Sequence, residues 1–457
     1  MTERTQSNAS RKISVELESP PAKSFPDKAT RDQDTQDHVT QGLGVLTAVV
    51  FLVGEMAGSG VLALPNALEN AGWIGIVIIV ACAAISAYTG QILGRCWTIV
   101  QDRYPSLRGH VRYPYPAMGY ITYGTIGRLV VSFSINFTMF GASVVYLLLA
   151  SQNVQDIVKH LFKFNWSFCY WMLVVVCILL PISWLGTPKD FWPIAVGAMA
   201  ATSIACVILV ANMTVDIPDN PRVIHSDVTL LSFAQAFGTI CFAFGGHPMF
   251  PTFQSDMREP SKFPRVCYFG FLALAVMYLP VATSGYFVYG KSVKANLLQS
   301  ISPGAMRMIA EILVTGHLFC GFIIIINPVC QEIEELLKIE KHFNWKRAVV
   351  RSLMCLLVAF VAISIPHFGT ILSLIGGSTT TLLAFIAPPL IYLKLAATDG
   401  PWKSFTVPLF EKVANVEIMV VGLVAGVAAT YSAILSLASP DAFTPPCYIN
   451  ITAASGS

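Results

Sequence analysis

Charge is what this chain has least of. Asp, Glu, Lys and Arg make up 12% of its 457 residues, against 54% hydrophobic residues, and the mean hydropathy is +0.63. A water-soluble globule of this size needs far more polar surface, so that class is excluded. No nucleic-acid partner is expected. Eleven cysteines are present, but none has metal-ligand spacing, and all except Cys169 and Cys447 lie in or at the ends of apolar runs. There is no phosphate-binding glycine loop, no paired-carboxylate motif and no His/Cys cluster, which argues against an enzyme and against a bound cofactor. The rings of like charge that build cation filters are missing too, which disfavours a channel. No charged n-region, short apolar stretch and small-residue cleavage site precede the first apolar run, so no removable signal peptide is expected.

What is there is a succession of apolar runs, near 43–67, 72–96, 128–151, 167–186, 190–212, 229–252, 266–289, 307–328, 346–365, 370–393 and 416–438. About 20 such residues cross a bilayer as a helix. The expectation is an all-α integral membrane protein with eleven transmembrane helices. Gly186-Thr187-Pro188-Lys189 and Ile365-Pro366-His367-Phe368-Gly369 separate neighbouring runs, since Pro and Gly end helices. Residues 1–41 are polar and poor in aromatics, which reads as a disordered tail.

Orientation follows from the basic residues. With the N-terminus cytosolic, the outward segments hold only Lys159, Lys163, Arg222, Lys291, Lys294 and Arg307 of the 29 Lys and Arg residues. The positive-inside rule favours that arrangement. Cys169, Cys447 and the sequons beginning at Asn165 and Asn450 then fall on the outer or lumenal face, as glycan acceptors in the case of the sequons. Whether the two cysteines are bridged is not legible from spacing. Plasma membrane and lysosomal or vesicular membrane remain open.

Two runs are not plain anchors. Gly54-Glu55-Met56-Ala57-Gly58-Ser59-Gly60-Val61-Leu62-Ala63-Leu64-Pro65 puts three glycines, a carboxylate and a proline in the first, and glycine frees a backbone to leave the helix. Unsatisfied peptide groups are costly in hydrocarbon, so an opened backbone implies a protein-lined cavity. Phe242-Ala243-Phe244-Gly245-Gly246-His247-Pro248 repeats the pattern in the sixth run, five runs on and opposite in direction. Paired interrupted helices in two halves indicate an inverted-repeat secondary transporter with its substrate between the half-helices. Repeat one is expected at about 42–212, repeat two at about 229–393, with 394–457 forming a loop, an extra eleventh helix and a short outer tail.

The chemistry of such breaks is simple. Free N–H groups at the start of a half-helix attract a carboxylate, so Ala57, Gly58, Ser59 and Gly60 are candidates to hold the acid group of an amino acid. Carbonyls released at Phe244, Gly245 and Gly246 suit an ammonium, with Phe242 and Phe244 as gating aromatics or, in the other reading, lipid-facing or core-packing residues, and the Ser59 hydroxyl available to either group. Gly58 and Gly60 would alternatively serve as a close-packing motif. Glu55 is a carboxylate in a span, costly when charged and unpaired, which makes it a candidate proton carrier; capping the half-helix or pairing with a basic group is the other reading. His247 and His317 are the remaining intramembrane titratable groups considered for ion coupling. Asn136, Tyr146, Thr315 and Asn327 either face the cavity or tie helices together. The stretch Glu332 to Lys338 reads as an amphipathic continuation with a solvated acidic face.

Gly54 to Pro65 with Asn70-Ala71-Gly72-Trp73, Tyr88-Thr89-Gly90, Phe242 to His247, Asp256-Met257-Arg258-Glu259-Pro260 and Asn327-Pro328 together resemble the amino acid/auxin permease family of the amino acid–polyamine–organocation superfamily. The resemblance covers about residues 40–438. It implies a LeuT-like 5+5 inverted repeat with discontinuous helices 1 and 6 plus helix 11, and ion-coupled carriage of amino acids. Glu55 stands where several proton-coupled members have a small residue. The expected function is a carrier of neutral amino acids, with proton coupling favoured over sodium; the alternatives are an amino-acid receptor with little net transport, or a sodium-coupled or exchange carrier of amino acids or related amines.

Overall fold

The computed structural model describes residues 42–108, 111–164, 166–184, 192–219, 222–340, 342–402, 404–439 and 446–449. The expected tail, the 186–189 junction and both sequon asparagines lie outside them. Helix is what an apolar chain must adopt in lipid, because it alone satisfies backbone groups within one segment. The elements are α1 (Val45–Met56), α2 (Ser59–Ala71), α3 (Ile74–Arg103), α4 (Pro114–Phe162), α5 (Phe168–Trp184), α6 (Trp192–Asp216), α7 (Leu230–Ala243), α8 (Phe250–Ser255), α9 (Phe263–Tyr289), α10 (Ala305–Leu336), α11 (Trp345–Ser364), α12 (Phe368–Ile375), α13 (Ala387–Ala397) and α14 (Leu409–Ala438). Two π-helical turns, Gly376–Thr380 and Leu382–Ile386, join α12 to α13.

Eight of these continuous segments are long and apolar enough to cross a bilayer, and α1 with α2, bent by 58° at their junction, makes a ninth; α5 and α7 are apolar but shorter. At 49 residues α4 is far too long for one crossing, and it kinks at Gly124, whose φ of 64° is a left-handed value that glycine adopts without penalty. The first and sixth apolar runs are both interrupted. α1 stops at Met56 and α2 begins at Ser59; α7 stops at Ala243, and Pro251 opens the short α8 at the second position of its first turn, where its missing N–H is harmless.

The broken elements sit in the middle of the bundle. α2 packs on α7 and α9, α1 on α6 and α9, α4 on α10, and α14 covers α7 and the π-helical turns. Ser432 Oγ of α14 donates to the Leu231 carbonyl (2.8 Å), and Gln235 Nε2 donates to Ser436 Oγ. At one end, Leu43 N–H donates to the Asp256 carbonyl (2.8 Å) and Arg258 N–H to the Leu43 carbonyl (3.0 Å), so the entry to the first run is tied to the exit of the sixth. At the other, Cys169 and Cys447 form a disulfide across 278 residues of sequence.

The acidic end of α10 is not a solvated face. Glu334 is buried and takes Arg351 Nε at 2.6 Å, with Arg347 Nε at 3.3 Å; Arg351, itself 2% exposed, also donates to the Ser183 carbonyl (2.8 Å) and Asn327 Oδ1 (2.9 Å). Glu332 accepts from Ser132 Oγ and Asn136 Nδ2, both at 2.5 Å. Only Glu335 of the three is exposed, and it meets Arg112 and Tyr113. Tertiary partners far along the chain override the amphipathic reading.

Candidate functional site

A cavity of about 50 Å³ lies between the two breaks, lined by Glu55, Met56, Ser59, Gly60, Thr138, Met139, Ala142, Tyr146, Phe242, Gly245, Gly246, Ile325 and Thr380. That is room for a few waters. Of the expected substrate residues, Ser59, Gly60, Phe242, Gly245 and Gly246 are on its wall. Ala57 and Gly58 stand just behind, in the break itself. Phe244 is elsewhere: it is fully buried against Phe271 and Tyr278, with ring centroids 6.3 and 5.3 Å away, and so belongs to the packed core behind the break.

The backbone at the breaks is open in the way the glycines require. Among the described residues no backbone acceptor is found for the N–H groups of Ser59, Gly60 and Val61, the first three of the 13-residue α2. These are orphan donors at the positive end of a helix. On the opposite wall, the Gly246 carbonyl accepts from Met249 N–H (3.2 Å) and the Phe242 carbonyl from Gly245 N–H (3.1 Å), while among the described residues no donor reaches the Gly245 carbonyl or that of Phe244 behind it. Tyr278 on α9 clamps both breaks. Its hydroxyl lies 2.8 Å from the Met56 carbonyl and 3.3 Å from that of Ala243.

Packing and opening coincide at the two glycines. A Cβ at Gly58 would run into the Tyr146 hydroxyl and His317 Nε2, and one at Gly60 into the Ala243 backbone. The close-packing reading of these positions therefore holds alongside the break.

The polar side chains divide clearly. Ser59 Oγ and Thr380 Oγ1 are buried on the cavity wall with no hydrogen-bond partner among the described residues. Glu55 faces the cavity, with no hydrogen bond or ion pair among the described residues, so it neither caps a half-helix nor pairs with a basic group. His247 is fully buried beside the sixth-run break, its Nε2 3.0 Å from Thr89 Oγ1 and its Nδ1 without a partner. His317 Nδ1 contacts Thr202 Oγ1 (3.1 Å) and the Ala198 carbonyl (3.2 Å), and its Nε2 is unpartnered beside Gly58. Neither histidine lines the cavity. Tyr146 does, whereas Asn136, Asn327 and Thr315 are bonded to Glu332, Arg351 and the Glu311 carbonyl.

Thr138, Thr380 and Tyr278 were not singled out from the sequence. Thr138 donates to Thr379 (2.7 Å) across 241 residues, and hydroxyls are common enough in apolar helices that nothing local marks these ones. The one signal was the pair Gly376-Gly377 just before a run of four hydroxyl residues.

Comparison with known proteins agrees with this geometry. Residues 41–435 match the family model described as "Transmembrane amino acid transporter protein". Amino acid transporter AVT1B of Arabidopsis thaliana is 27% identical over 406 residues, covering 85% of this chain and 70% of that protein. Amino acid transporter ANT1 of the same plant is 26% identical, covering 84% and 91%. Among solved structures, MhsT in complex with L-phenylalanine superposes with a TM-score of 0.58 at 14% identity, covering 86% of this chain and 99% of that one. A manganese transporter of Eremococcus coleocola gives 0.51 at 13% identity, covering 90% and 88%. These two share the fold. With its sequence matched from end to end of the helical region, this chain belongs to the transmembrane amino acid transporter family.

Proposed function

We propose that the chain is a secondary carrier of neutral, zwitterionic amino acids, moved together with protons by alternating exposure of the cavity between the two breaks. The observation that carries this is the facing, across one cavity, of N–H groups (Ser59, Gly60) and a carbonyl (Gly245) for which no backbone partner is found among the described residues. A zwitterion has the complementary poles. Its carboxylate would sit on the start of α2 with Ala57, Gly58 and the Ser59 hydroxyl, and its ammonium on the sixth-run carbonyls. The family match and the relatives named as amino acid transporters support the substrate class.

In this reading α5 and the α7–α8 pair are crossings, which makes eleven spans, ten of them an inverted repeat of five and five. Glu55 carries the coupled proton, because it faces the cavity unpaired and a charge there is costly; His317, beside the break, is the next site on the route. The tail end is cytosolic. Its face carries most of the basic residues, and the disulfide lies at the other end, as expected for an oxidising exterior or lumen.

Uptake into proteoliposomes tests the reading, with a panel of labelled amino acids and proton or sodium gradients imposed separately. The expected result is accumulation of zwitterionic substrates under a proton gradient alone, with Glu55→Gln losing the response to pH. Stimulation by sodium alone, with the Gln variant indifferent, would overturn the coupling. Saturable binding without accumulation under either gradient would overturn the carrier and indicate a receptor.

A further inference from the structure

We infer that Thr380, on the π-helical turn of the tenth run, is a substrate ligand whose hydroxyl supplies an acceptor for the α-ammonium group. The inference rests on the carrier reading above and adds to it a helix that neither break contains.

An α-ammonium has three N–H donors, and a buried donor left unpaired is costly. Of the sixth-run residues on the cavity wall, Phe242 and Gly246 have carbonyls that already accept from Gly245 and Met249 N–H, and among the described residues only the Gly245 carbonyl has no donor. Three donors need more acceptors than that. Thr380 stands directly against Gly245: a Cβ added there would meet the Thr380 methyl group.

The local structure explains why this hydroxyl alone is available. Gly376 lies against the Gly238 carbonyl and the Phe242 amide of α7, and Gly377 against Ala429 of α14, so the bare glycine pair lets this segment approach the sixth run where it is about to break. The next turn widens to π geometry, a feature often found at functional sites. Four hydroxyl residues follow in sequence. Ser378 Oγ donates to the Leu374 carbonyl (2.5 Å), Thr379 accepts from Thr138 (2.7 Å), and Thr381 Oγ1 donates to the Gly376 carbonyl (2.6 Å). Thr380 is 1% exposed, lines the cavity and has no hydrogen-bond partner for its hydroxyl among the described residues. A buried hydroxyl without a partner is a group waiting for one. Rotating χ1 by about 120° brings the hydroxyl to the position the methyl now holds, the methyl moving to the third staggered position, without moving the backbone.

The test is kinetic. In proteoliposomes, the Michaelis constants of wild type, Thr380→Val and Thr380→Ser are measured for the best-transported amino acid and for its N-methyl analogue, which has one ammonium N–H fewer. Thr380→Val should raise KM for the parent amino acid about tenfold, the effect of losing one hydrogen bond to a charged group. The rise should be similar for substrates with different side chains, and Thr380→Ser should restore wild-type behaviour. The penalty for N-methylation should shrink in the Val variant, because the lost donor and the lost acceptor are the same bond. An unchanged KM in a monodisperse Val variant overturns the inference. So does a raised KM with an undiminished N-methyl penalty, which would make Thr380 a packing residue. Absence of amino acid uptake by the wild type is a different result, and it defeats the carrier reading itself.

Discussion

Two buried hydroxyls near the breaks have opposite physical status, and their removal should have opposite effects. Tyr278 serves the Met56 and Ala243 carbonyls. Without its oxygen the Ala243 carbonyl faces an apolar ring and the Met56 carbonyl keeps only its bond from Gly58 N–H (2.8 Å), and stranding a buried polar group costs about 1–3 kcal/mol. Tyr278→Phe should therefore lower Tm in detergent by several degrees and reduce the maximal transport rate, since the two breaks lose their common tie. Ser59 Oγ, by contrast, has no partner to lose. Ser59→Ala removes an unsatisfied group, so Tm should hold or rise, while KM for substrate increases about five- to tenfold through loss of one contact to the carboxylate. A fall in Tm for Ser59→Ala comparable to that of Tyr278→Phe would show that the serine is structural.

At the scale of elements, the breaks were legible and their surroundings were not. Gly58-Ser59-Gly60 and Gly245-Gly246 interrupt apolar periodicity within a few residues, so the ends of α1, α2 and α7 could be placed from the chain alone. Phe244 was expected beside the substrate because it is next to Gly245, yet successive residues at a break diverge, and it enters the core. Thr380 stood unremarked because its neighbour Gly245 is far away in sequence. The same blindness hid the Glu334–Arg351 pair, where a charged run at the end of α10 looked solvated until α11 supplied a buried guanidinium. Removing one member of a buried pair leaves an uncompensated charge, at about 3–5 kcal/mol. Arg351→Met should fall toward the lower end of that range, because Arg347 remains 3.3 Å from Glu334. The double change Arg351→Met with Glu334→Leu should recover most of the lost stability. Thermal unfolding of the three variants checks this, and a double variant no better than the single would place the stabilisation in the Ser183 and Asn327 contacts instead.

For the whole molecule, two independent features bear on which way it faces. The scarcity of basic residues on one side is a statistical preference of insertion, whereas the Cys169–Cys447 bridge is a chemical one, since disulfides persist on the oxidising side of a membrane. Both select the same face. The bridge joins the start of α5 to the segment after α14, holding the eleventh run to a distant part of the bundle, and closing so long a loop is worth about 5–6 kcal/mol by the chain-entropy account. Replacing both cysteines with serine should lower Tm without altering KM, because neither residue lines the cavity. The orientation can be read from the same pair. In sealed cells or organelles, a membrane-impermeant maleimide applied after mild reduction should label Cys169 and Cys447 only from the exterior or, in opened organelles, the lumen, while an N-terminal epitope stays protected from that side. Labelling of the pair from the cytosolic side would invert the topology, and with it the direction of the proposed transport.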